Sequence, residues 1–130
     1  MAPFEWNDDS TSGTKGMYER TTDLKKINPE LKVLVAVGGW NMGSTDFSNM
    51  VANSASRARF ISTTIEFLRE RNLDGLDLDW EYPSNRAGSR PEDKERFACL
   101  CKVRINAIDN ATYALCVRKT DMTSRKYEQF

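Results

Sequence analysis

Along residues 76–81 apolar and acidic side chains alternate without exception: Leu76, Leu78 and Trp80 against Asp77, Asp79 and Glu81. A period of two belongs to a β-strand, whose successive side chains leave on opposite faces. The segment predicts one greasy face and, on the other, three carboxylates in file, about 6.5–7 Å apart at their Cα atoms. Residues 31–37 read differently. They form an apolar run broken only by Lys32 and rich in valine, which predicts a parallel strand covered on both faces. Between the two, Ala58, Ile61, Ile65 and Leu68 recur at helical spacing, and Phe60 and Phe67 widen the stripe. A helix over residues 54–71 follows, with Ser54 or Ser56 as its cap. Strand, helix, strand is the repeating unit of a parallel sheet.

The flanks are simpler. Met17, Thr21, Leu24 and Ile27 share one helical face, so residues 16–27 predict a helix that Asn28-Pro29 stops. Phe47, Met50 and Val51 predict a helical turn. Residues 84–90 read as loop. Pro91-Glu92-Asp93 opens another helix, proline in its first turn and acids at the positive end of its dipole. Its buried face would be Phe97, Leu100, Cys101 and Ile108. Residues 1–15 are polar and turn-rich. Beyond residue 109 the pattern thins: a short strand fits within 112–117, and 119–130 is polar. The chain therefore divides into a patterned part, 1–108, and a tail, 109–130, to which the pattern assigns no certain structure.

Composition narrows the class. A chain of 130 residues is ordinarily one domain. Lysine plus arginine balances aspartate plus glutamate at 19 each, leaving no basic footprint for nucleic acid. No apolar run reaches the ~20 residues of a membrane span, and the first residues show no signal peptide. Histidine is absent, which removes histidine-based triads and most catalytic zinc sites. Three cysteines, Cys99, Cys101 and Cys116, are a poor basis for a disulfide framework; Cys99 and Cys101, two apart on a predicted helix, make a poor metal pair and read as small core residues. Asn110-Ala111-Thr112 fits a glycosylation acceptor if the chain is secreted.

The acidic file carries the chemistry. Three like charges in a row cost stability unless a proton or a cation relieves them. A helix-loop-helix calcium site is excluded: counted from Asp77, it needs glycine sixth and glutamate twelfth, where Tyr82 and Gly88 stand. No metal or cofactor is called for. Neighbouring carboxylates share protons, and one kept protonated can donate to a glycosidic oxygen. Glu81 lies last in the file, at the C-terminal end of its strand, where parallel barrels place their active sites; it is the expected proton donor. Across from it, Gly38-Gly39 ends the first strand and permits close backbone approach. Trp40 and Asn41 follow at the mouth, an indole to stack on a sugar's apolar face and an amide to bond its hydroxyls.

These residues resemble a known family. Asp74-Gly75-x-Asp77-x-Asp79-x-Glu81 looks like the signature of glycoside hydrolase family 18, the chitinases and their relatives. Val35-Ala36-Val37-Gly38-Gly39-Trp40-Asn41 looks like its second motif, with alanine where the family often has serine. The resemblance covers roughly residues 4–108. It implies an α/β fold, part of a (β/α)8 TIM barrel spanning roughly the third and fourth βα units. It implies cleavage of β-1,4-linked N-acetylglucosamine with retention, the substrate's own acetamido oxygen acting as nucleophile. By that resemblance Glu81 protonates the leaving oxygen, Asp79 orients the acetamido group, and Asp77 tunes Asp79. Gly38, Gly39, Trp40, Asn41 and Tyr82 line the cleft, and Glu5-Trp6 resembles a further pair that does. The implied partner is chitin or a chito-oligosaccharide, and the implied location extracellular.

The three acids share one face, so none can attack a sugar from behind while Glu81 protonates it in front. A rear nucleophile must come from another strand or from the substrate. A whole barrel takes about 250 residues, so the chain is expected to be a portion of one, marginally stable, with its carboxylate face open. Two rival readings stand beside the hydrolase. A lectin-like relative usually lacks the terminal glutamate, which Glu81 argues against; an incomplete product would lack independent activity.

Overall fold

The computed structural model describes residues 1–101 and the backbone of strand segments at 114–117, 120–121, 124–125 and 128–129. An N-terminal loop leads into α1 (Met17–Thr22), which tightens into a 3-10 turn over Asp23–Lys26. The first strand, β1 (Leu34–Gly38), ends in a second 3-10 turn, Trp40–Met42. Two helices follow, α2 (Thr45–Val51) and α3 (Ser54–Glu70), then β2 (Gly75–Asp79) and α4 (Asp93–Cys101). Beyond them lie β3 (Ala114–Val117), β4 (Thr120–Asp121), β5 (Ser124–Arg125) and β6 (Glu128–Gln129).

The sheet runs β1-β2-β3-β6. β1 and β3 flank β2 in parallel, and β6 pairs antiparallel to β3. A strand within 112–117 was expected, and β3 supplies it, in the place a third parallel strand would take. The register sets Ala36 opposite Asp77 and Gly38 opposite Asp79 on one face. Val35 opposite Leu76 and Val37 opposite Leu78 form the other. That second face is the core: Phe47 and Val51 of α2, Leu100 of α4 and Trp80 close over Leu76 and Leu78, with Phe60 and Ile61 of α3 alongside. A smaller cluster, Val33, Phe67, Leu68 and Leu73, seals the end at which the strands begin.

Several expectations need correction. β1 is not covered on both faces. It forms one edge of the sheet, and Leu34, Ala36 and Gly38 are exposed while Val35 and Val37 are half-buried. A continuous apolar run predicts cover on both faces, whereas the described residues cover only the side of Val35 and Val37. In α3 the cap is Asn53, not a serine: its side-chain oxygen accepts the Ser56 N–H at 2.9 Å, while Ser56 Oγ accepts the Asn53 N–H at 3.4 Å. The buried stripe is Thr64, Phe67 and Leu68, and Ala58 is exposed. The last predicted helix begins at Asp93 rather than at Pro91. The Asp93 carboxylate accepts the Arg90 N–H at 2.6 Å, and Ser84 Oγ accepts the Lys94 N–H at 3.0 Å, so the preceding loop supplies the cap. Cys99 is exposed rather than core. Cys101 is half-buried, and burial pushes its thiol up to about 11. Ile108 and the Asn110-Ala111-Thr112 sequon lie outside the described residues.

Candidate active site

β2 delivers the acids as its alternation demands. Leu76, Leu78 and Trp80 are buried; Asp77, Asp79 and Glu81 are half-buried. The alternation therefore outlasts the strand: β2 ends at Asp79, yet Trp80 still turns into the core and Glu81 away from it. Trp80 is anchored heavily. Its ring stacks on Phe47 at 5.0 Å between centroids, meets Phe97 edge-on at 5.4 Å, and its indole N–H donates to Ser44 Oγ at 2.9 Å. A buried indole satisfied in this way fixes the backbone on which Glu81 stands. The Glu81–Tyr82 peptide bond is cis.

The end of β1 is shaped to meet Asp79. Gly38 takes φ +122°, and a Cβ there would lie 2.2 Å from the Asp79 carbonyl oxygen. Only glycine fits. Gly39, at φ +83°, donates its N–H to that same carbonyl at 2.7 Å. A Cβ on Gly39 would come 3.9 Å from Asp79 Oδ2, so the missing side chain leaves space beside the carboxylate. The glycine pair thus does two jobs: Gly38 lets the strands close, and Gly39 keeps ground beside Asp79 clear.

Trp40 follows directly, the residue 60% exposed, and Asn41 is exposed beside it. Tyr82 is half-buried after Glu81. One residue here escaped the sequence reading. Arg86, in the loop after β2, lays its guanidinium 4.0 Å from the Trp40 ring centroid. Its Nη1 donates to the carbonyls of Trp40, at 2.5 Å, and Glu81, at 3.1 Å. No local pattern marks an arginine in a polar loop for such a role.

Glu5 and Trp6 lie in the N-terminal loop. Both are exposed, Trp6 at 88%, and Asp8 Oδ2 accepts the Glu5 N–H at 2.8 Å within their own loop. That loop is tied down where Asp9 pairs with Arg71, after the C-terminal end of α3, where β2 begins rather than where Glu81 emerges. Asp74, the first acid of the motif, is scaffold. Its Oδ2 accepts the Val33 N–H and the Lys25 ammonium, each at 2.8 Å. Burial opposes its charge, but Lys25 and the Val33 N–H outweigh that and hold its carboxyl below the usual range.

Carboxylates leaving the C-terminal end of an inner parallel strand, with helices packed behind it, stand where enzymes of the (β/α)-barrel class place their active sites. The chain belongs to glycosyl hydrolases family 18, whose model matches residues 2–124, and with it to the TIM-barrel fold. It is 50% identical over 97 residues to probable chitinase 2 of Drosophila melanogaster, covering 75% of this chain and 20% of that protein. Among solved structures, chitinase ChiA74 from Bacillus thuringiensis superposes with a TM-score of 0.75 at 35% identity, over 87% of this chain and 22% of that one. Ostrinia furnacalis Group IV chitinase in complex with allosamidin gives 0.71 at 44% identity, over 78% and 27%. The chain spans about a fifth of the length of the curated relatives it matches.

Proposed function

We propose that this chain carries the acid-catalytic portion of a secreted chitinase, corresponding to the third and fourth βα units of the barrel, and acts on β-1,4-linked N-acetylglucosamine. The observation that carries the reading is the buried–half-buried alternation that runs unbroken to Glu81, beside a β1 terminus cleared by two glycines.

In this reading Glu81 gives its proton to the glycosidic oxygen. Asp79, sharing a face with it and bordered by the open ground at Gly39, orients the acetamido group whose oxygen attacks the anomeric carbon. All three acids approach from one side, so a rear nucleophile comes from another strand or from the substrate; the resemblance to family 18 implies the second, the substrate's own acetamido oxygen. Configuration is then retained through a cyclic intermediate that water opens. Asp77, deeper along β2, tunes Asp79. Trp40 and Asn41 hold the sugar chain at the mouth, Tyr82 lines the cleft beside Glu81, and Glu5-Trp6, by the family resemblance, helps line it too. The chitinases it matches support chito-oligosaccharide as the ligand.

The test is release of fluorophore from a chitobiose glycoside by the purified full chain and by Glu81→Gln. Turnover in the parent that falls by at least about 100-fold in Glu81→Gln supports the reading. Chitin retention without turnover would replace it with a binding role. An inert parent that does not bind chitin overturns it.

A further inference from the structure

The ladder between β1 and β2 ends at the Gly38–Asp79 pair and the Gly39 N–H bond to the Asp79 carbonyl. Beyond it the two chains part, Trp40 entering a 3-10 turn and Glu81 a loop. The carbonyls of Trp40 and Glu81 nevertheless stay close enough to share one donor, Arg86 Nη1. Two carbonyl oxygens facing a common point repel unless a donor stands between them, and a charged donor serves best. The same guanidinium lies over the Trp40 indole, 4.0 Å from its ring centroid, where ring and cation attract. One side chain therefore holds three things: the backbone that carries the acid, the backbone that carries the indole, and one face of the indole. Arg86 itself is half-buried, and Trp40 keeps most of its surface open.

We infer that Arg86 is a positioning residue: it welds the Trp40 platform to the Glu81 backbone and braces one face of the indole so that the other is presented to a sugar ring. Its ligand, a chito-oligosaccharide, rests on the function proposed above; the weld itself does not. An unbraced exposed indole samples several rotamers, and ligand binding must then select one. With Arg86 in place that selection is made beforehand, which favours binding of the ground state. Loss of Arg86 should therefore raise KM more than it lowers kcat.

Two arms test this with the full chain, comparing Arg86→Ala and Arg86→Lys after confirming an unchanged denaturant midpoint. The first is acrylamide quenching of tryptophan emission without ligand. Trp80 is buried and Trp6 lies in the N-terminal loop, so Arg86→Ala should raise quenching through Trp40 alone, and the increase should vanish in a Trp40→Phe background. Lysine keeps the charge but loses the planar fork, and should fall between the two. Unchanged quenching, or an increase that persists without Trp40, overturns the weld. The second arm is hydrolysis of the chitobiose glycoside. KM should rise roughly five-fold in Arg86→Ala with kcat within about two-fold, the size expected for losing one exposed cation–π contact and its hydrogen bonds. A fall in kcat at constant KM, the mark of fewer folded molecules, overturns the positioning role. If the parent neither turns over nor binds chitin, the chitinase reading fails, while the quenching arm still decides the weld.

Discussion

At the scale of single residues, the site depends on atoms that are missing as much as on those present. Gly38 lies within contact distance of the Asp79 carbonyl, with the Phe47 ring also near: a Cβ would sit 2.2 Å from the oxygen and 3.1 Å from the ring. Gly38→Ala adds that clash to an unfavourable φ and should cost roughly 2–4 kcal/mol, read as a lowered denaturant midpoint. Gly39→Ala meets no such wall, since its nearest neighbour would be Asp79 Oδ2 at 3.9 Å. It should cost less stability, about 1–3 kcal/mol of backbone strain, and act mainly on the space beside Asp79. Equal midpoints for the two variants would contradict this account of the strand ends. The acids and glycines were legible in the sequence because spacing alone puts them on one face or at one terminus. Arg86 was not: its partners are separated from it by 46 and five residues, and one of them is reached only because β1 and β2 are neighbours.

At the scale of elements, α3 is the longest helix among the described residues and packs behind both strands. Its N-terminus is closed by a capping box between Asn53 and Ser56. Asn53→Ala removes the acceptor for the Ser56 N–H and should lower stability by about 1 kcal/mol, while Ser54→Ala should leave the melting temperature nearly unchanged. The reverse order would return the cap to the serine that pattern alone favours. Asn, Ser and Ser stand at 53, 54 and 56, all good caps, and only the chain direction entering the helix selects one: Asn53 has extended backbone, φ −146° and ψ 170°, as a cap residue requires. The start of α4 moved for a similar reason, its cap being assembled from Ser84 and Asp93 by a loop whose course no periodicity encodes.

At the scale of the whole molecule, ion pairs tie the N-terminal loop to the end of α3 and the 3-10 turn after α1 to the residue before β2. Arg71 beside Asp9 holds that carboxyl below its usual range, and Asp74 is held low by Lys25 and the Val33 N–H despite its burial. A carboxyl whose folded value is depressed binds fewer protons in the native than in the unfolded state. Its contribution is present above the unfolded value of about 3.9 and is lost as pH falls through the folded one. Denaturant midpoints should therefore stay level from about pH 7 to pH 5 and drop below about pH 4, with Asp74→Asn removing part of the drop along with some stability at neutral pH. A midpoint indifferent to acid down to pH 3 would show that these pairs contribute little to folding.

What the sequence determined by itself is whatever follows from spacing along one segment. The period-two file made a strand with acids on one side and fixed Trp80 into the core; the apolar stripe made α3; the glycine pair marked a strand end. What only the tertiary structure decided is whatever requires two segments to meet. The exposure of one face of β1, the bonds of Asp74 to Lys25 and the Val33 N–H, and the Arg86 contacts all depend on distances between segments far apart in the chain. Local geometry repeats every two or 3.6 residues and leaves its trace in the order of side chains. Contacts between distant segments have no period, and they exist only once the chain has folded.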